Sequence, residues 1–151
     1  MDTSIETEVD VLNILRRGDV ELEGQFIRGS NGTFLARVTL AERNLLTVYK
    51  PIRGEQPLWD FPHRTLARRE AAAYCLSAAL GWGLVPPTVY RRRKAPLGPG
   101  SLQLFIDHDP NRHYFSFSPE EYERLRPAAL FDLLLNNADR KGGHVLMDAQ
   151  N

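Results

Sequence analysis

Cysteine is nearly missing from this chain. One thiol, Cys75, in 151 residues excludes an internal disulfide, and its setting in the alanine-rich stretch AAAYCLSAA predicts a small buried side chain. Excess charge is missing too. Nineteen basic residues balance nineteen acidic ones, so no net field draws the molecule to nucleic acid, and any electrostatic attraction must be local. No apolar run approaches the ~20 residues that span a bilayer, and the opening MDTSIETEVD is acidic, without the basic start and apolar run of a secretory leader. The expectation is a cytoplasmic protein. Repeats and low-complexity tracts are also absent. What is present is a 42% apolar fraction, enough for one domain core of ordinary size.

The pattern along the chain is α+β. ETEVDVLNILRRGD carries apolar residues at Val9, Leu12 and Leu15 with Gly18 beyond, which predicts a short amphipathic helix with a glycine stop. Alternation then takes over, with Val20, Leu22 and Phe26, then Phe34, Ala36, Val38 and Leu40, then Leu46, Val48 and Lys50 on successive strand faces. These form an expected three-stranded meander with turns at RGSNG and ERN. TLARREAAAYCLSAAL reads as a helix ended by GWG. LVPPTVYR and SLQLFID read as two further strands, separated by the basic RRRKAPLGPG. SPEEYERLRP opens with a capping box, Ser118 and Glu121 around Pro119. Pro127 kinks or restarts that helix, and AALFDLLLNN is apolar nearly all round, as for a helix buried on most sides. HVLM is expected as a short final strand. Segregated strands and helices favour α+β over a doubly wound sheet.

Three places could carry chemistry. Lys50 ends a strand whose same-face neighbours are apolar; it either snorkels into solvent or points inward, which needs a negative partner. Glu70 offers one, because its helical stripe holds Leu66, Ala73, Tyr74 and Ser77 while Arg68 and Arg69 lie off it. The turn holding Gly29, Ser30, Asn31 and Gly32 is either a plain hairpin or a backbone cradle for phosphate. In NNADRKGGH, Asp139 could orient a hydroxyl and Lys141 could offset charge on a transferring phosphoryl group; equally, Asp139 could cap the turn or pair with Arg140.

In this order, the glycine turn, the strand lysine, the helix glutamate and the DR loop resemble the protein-kinase-like fold. SNGTFL, VYKPIRGEQPLWDFP, TLARREAAAY, GWGLVPPTV, GPGSLQLFIDHD and ALFDLLLNNADRKGGHVLMDA resemble, more closely, a bacterial family labelled phosphatidylinositol 3-/4-kinase-like. The resemblance implies one kinase-like domain, with a small lobe and linker to about residue 108 and the start of a large lobe from 109 to 151. It implies that ATP is bound, with Lys50 on the α/β phosphates and paired to Glu70, and with Gly29, Ser30, Asn31 and Gly32 over the phosphates. Adenine would rest against the linker from Phe105 through Ile106 to His108, and Asp139 would be the catalytic aspartate in a loop shared with Arg140 and Lys141. His144 stands where the wider pattern has an asparagine that binds Mg2+, and imidazole suits that hard cation less well. The family's principal magnesium-binding aspartate would follow HVLM and is not reached by Asn151, so transferase activity of these residues alone is expected to be weak. The acceptor implied is a lipid or a protein hydroxyl; a non-catalytic nucleotide-binding or interaction module is the alternative. The run Arg91, Arg92, Arg93 and Lys94 is either a solvated hairpin tip or a peripheral contact with anionic membrane lipids. An uncovered face of AALFDLLLNN would invite self-association.

Overall fold

The computed structural model describes residues 7–26, 32–56, 59, 62–137 and 140–147, the side chain of His144 excepted. Its centre is a five-stranded antiparallel sheet, β1 (Asp19–Gln25), β2 (Phe34–Leu40), β3 (Arg43–Pro51), β4 (Thr88–Arg91) and β5 (Gly100–Leu104), in the order β1-β2-β3-β5-β4. Helix α1 (Glu8–Arg17) packs on one face against β2 to β5, and α2 (Leu66–Ala79) packs on β4 and β5. The α+β expectation is met.

Alternation along paired strands decides what each face carries. Ala36, Val38, Tyr49, Val89 and Leu102 point toward α1 and form the core with its Val11, Ile14 and Leu15. Thr47 shares this face and hides its hydroxyl by donating to the Ala36 carbonyl at 2.8 Å. Of the expected stripe Leu15 is buried and Leu12 packs on the core, whereas Val9 is 74% exposed and Val11 and Ile14 widen the buried face instead. A capping box between Thr7 and Asp10 sets the start of the helix.

On β3 the buried residues are Thr47, Tyr49 and Pro51; Leu46, Val48 and Lys50 form the opposite, half-buried face. The β2–β3 turn is Ala41–Glu42, with Ala41 at φ 54°, so the expected ERN turn lies one residue early. β1 sits at the sheet margin with a bulge between Leu22 and Gly24, and its Leu22 is 36% exposed where a core-facing residue was expected. Prolines 86 and 87 delay β4 until Thr88, since proline cannot donate to a ladder.

Helix α2 is held at both ends. Thr65 does not cap it; the Glu55 carboxylate, ten residues upstream, accepts from the Ala67 N–H at 3.0 Å. At the other end Ser77 accepts from the N–H groups of Leu84 and Val85, closing a loop in which Gly81 and Gly83 have positive φ. Cys75 is exposed, not buried: it lies off the stripe of Ala67, Tyr74 and Ser77 that faces inward.

Beyond β5, Ser118 caps α3 (Pro119–Glu123) as its sequence predicts, and the chain restarts at Pro127 as α4 (Arg126–Leu135). The expectation of an α4 buried on most sides is not met. Phe131 alone is buried, edge-on to Trp82, while Leu130, Leu133 and Leu134 are 48%, 79% and 56% exposed. Residues 145–147 form no strand, because Gly142–His144 tighten into a 3-10 turn. Among the described residues no helix is long and apolar enough to cross a membrane.

Candidate functional site

Lys50 lies near the end of β3, on the sheet face away from α1, opposite Ser101 of β5. Its ammonium donates to Glu70 Oε1 at 2.7 Å, and the Ser101 hydroxyl donates to Glu70 Oε2 at 2.5 Å. One carboxylate is therefore gripped from two adjacent strands, and α2 is pinned to the sheet through it. The pair is not deeply buried: its side chains keep 38% and 32% of their exposure. Water can reach the ammonium from one side, so a charged group could approach it there.

The register extends this face outward. Val48 lies opposite Leu35 on one side and Gln103 on the other, and Leu46 lies opposite Arg37 and takes the Phe105 N–H on its carbonyl at 2.9 Å. Leu35, Leu46, Val48 and Phe105 are all half-buried. A lysine thus stands at one end of an apolar strip, which suits a ligand with a flat apolar part and an anionic tail. The linker beyond Phe105 is folded back on itself, with His108 Nδ1 3.0 Å from the Ile106 carbonyl oxygen.

Of the glycine turn, Gly29, Ser30 and Asn31 lie outside the described residues. Gly32 is described, and a Cβ added to it would meet the Gly54 carbonyl oxygen at 2.6 Å. This contact sets Gly32 against the 3-10 turn Ile52–Gly54, four residues past Lys50.

The second group lies after α4. Arg140 clasps Asp132 with two hydrogen bonds, Nε to Oδ2 at 2.9 Å and Nη2 to Oδ1 at 2.5 Å, and the Asn137 amide adds a third at 2.9 Å. The Arg140 hydrogen bonds hold the Asp132 carboxyl below its usual range, and the same pairing raises the guanidinium. Asn136, left-handed at φ 51°, turns the chain out of the helix. The loop is tied to α4 on both sides of Asp139, which itself lies outside the described residues. Lys141 begins the final 3-10 turn and is exposed.

Ser101, Gly54 and Asp132 were not singled out by sequence. Ser101 alone carried a signal, since it alternates with Gln103 and Phe105 along SLQLF and must share their face. Among the described residues no three His, Cys, Asp or Glu side chains gather to hold a metal; Asp139 and the His144 side chain lie outside the described residues.

One surface expectation is corrected. Arg91 is only 4% exposed, with its guanidinium donating to the carbonyls of Leu15, Gly18 and Lys94. It points to the α1 face, as its place opposite Gly100 requires, and cannot join Arg92, Arg93 and Lys94 in touching a surface.

No family model matches the chain. It is 40% identical to protein Rv2133c of Mycobacterium tuberculosis, covering 88% of this chain and 60% of that protein. It is 28% identical to phosphatidylinositol 4-kinase gamma 4 of Oryza sativa subsp. japonica, covering 79% of this chain and 26% of the rice protein. The chain thus spans less than two thirds of either relative's length. A distant similarity to a phosphatidylinositol kinase is established.

Proposed function

We propose that this chain binds ATP in a kinase-like site and that its fold serves phosphoryl transfer from ATP to a lipid or protein hydroxyl. The observation that carries the reading is the Lys50 ammonium 2.7 Å from a Glu70 carboxylate whose other oxygen is held by Ser101. A lysine oriented this way presents positive charge to phosphate oxygens without spending side-chain freedom when they arrive. The half-buried strip of Leu35, Val48 and Phe105 offers the base an apolar wall. Similarity to the rice phosphatidylinositol 4-kinase supports the same chemistry. In this reading Asp139 takes the hydroxyl proton, and the Arg140–Asp132 clasp sets the loop that presents it.

Calorimetric titration of ATP with and without Mg2+ into wild type and Lys50→Ala tests the reading. Expected is binding that magnesium strengthens and that Lys50→Ala weakens about tenfold or more, the loss of a charge-assisted hydrogen bond. Binding indifferent to Lys50 refutes it. Binding that needs Lys50 but ignores magnesium favours a non-catalytic nucleotide-binding module instead.

A further inference from the structure

Five exposed cations converge on a second place, with α1 on the side of the sheet away from Lys50. Arg16 and Arg17 end α1; Arg92, Arg93 and Lys94 form the start of the β4–β5 hairpin; between them lies a concave volume of about 590 Å³, also lined by Leu40, Tyr90 and Arg91. No described carboxylate lies within ion-pair distance of any of the five, and no acidic residue lines the cleft.

This crowding is built in. Arg91 crosses beneath the cleft and ties its two walls together, taking Leu15 and Gly18 carbonyls on the α1 side and the Lys94 carbonyl on the hairpin side. Lys94 is held at a φ of 55°, a conformation unfavourable for a side-chain-bearing residue. Like charges set side by side repel, and the negative end of the α1 dipole offsets only part of that.

We propose that this cleft binds a compact anion bearing two or more phosphate groups. Compactness follows from the shape and the charge count. The five cations line one concave volume, with Leu40 and Tyr90 in its lining, and not an extended stripe along which a polymer backbone would track. A lipid headgroup and a free polyphosphate share the required chemistry.

The probe is inorganic tripolyphosphate, titrated by calorimetry and by thermal melting into wild type, Lys50→Ala, Arg16→Glu/Arg17→Glu and Arg92→Glu/Arg93→Glu, with the milder Arg92→Gln/Arg93→Gln pair as a check on folding. Expected are a raised melting temperature, binding that persists in Lys50→Ala, where the other phosphate site is disabled, and a loss of about tenfold or more in each reversed pair. Vesicles of phosphatidylcholine with cardiolipin, whose headgroup carries two phosphates, then separate the sources: cosedimentation that tripolyphosphate competes away assigns the site to headgroups, and none assigns it to a free anion. The proposal is overturned if tripolyphosphate fails to bind, if its binding follows Lys50 rather than the arginines, or if a single-stranded oligonucleotide binds more tightly than tripolyphosphate.

Discussion

Replacing Arg91 by methionine keeps an unbranched apolar stem and removes the donors. Four hydrogen bonds to carbonyls would go, at 3.2 Å to Leu15, 2.7 Å to Gly18, 2.9 Å to Lys94 and, longest, 3.4 Å to Arg93. Bonds from a charged donor contribute about 1.5–3 kcal/mol each, so the gross loss is at most roughly 6–12 kcal/mol. Two effects offset it. Methionine refills most of the volume, and the protein no longer buries a guanidinium, whose desolvation is large enough to hold its pKa below the ordinary arginine value. The two α1 carbonyls are terminal ones that would otherwise face water, and water can reach them once the hairpin loosens. A net loss of about 3 kcal/mol is expected, in the range for breaking a buried polar network. Urea unfolding at equilibrium measures it through the midpoint, with the slope unchanged. Arg91→Lys should fall between, because a single ammonium nitrogen cannot span carbonyls that three guanidinium nitrogens reach. A midpoint for Arg91→Met within ~0.5 kcal/mol of wild type would refute the bridge between α1 and the hairpin.

Glu70→Ala should lower stability by only about 1 kcal/mol or less, because the pair stays partly solvated, yet weaken ATP binding strongly; calorimetry and urea melts on one variant separate the two, and unimpaired binding would contradict a positioning role. Asp132 is ionised below its usual range in the fold, so its contribution is complete above about pH 4, where the unfolded carboxyl is also ionised, and disappears as pH falls through the lower folded value. Asp132→Asn should be less stable than wild type at neutral pH, with the difference shrinking in acid. Tyr74 donates to Glu8 at 2.5 Å, and burial first, then that carboxylate, push its phenol up to about 12; stability should be intact below about pH 10 and decline from there toward 12, and Tyr74→Phe should flatten that decline in a pH series of thermal melts.

Sheet, helices and the Lys50–Glu70 pairing could be read from residue spacing because alternation of two and a repeat of 3.6 assign faces locally. Glu70 followed from its stripe on α2, and Lys50 from alternation along β3. What spacing misjudged was which face lies deepest. Leu46 and Val48 looked like core, but the core forms under α1 through Thr47 and Tyr49, and no rule internal to β3 says which side α1 will choose. Arg91 shows the same limit more sharply. In RRRK it is one basic residue among four, and only its position opposite Gly100 at the end of β4 turns it inward. Val9, Leu130 and Leu133 are apolar and exposed, so composition alone overstates burial at both ends of the described chain. The partners of Glu55 and Asp132 are set by loops, where no period exists to announce them.

The bulged margin at β1 bears on how this sheet behaves in a crowded solution. Its outer rim presents Asp19, Glu21 and Glu23, all exposed, with Glu23 displaced at the irregularity between Leu22 and Gly24. Were two molecules to zip together antiparallel along this rim, carboxylates would face carboxylates, and the extra residue would throw the backbone donors and acceptors out of step. Fibrillar stacking is thereby discouraged along β1.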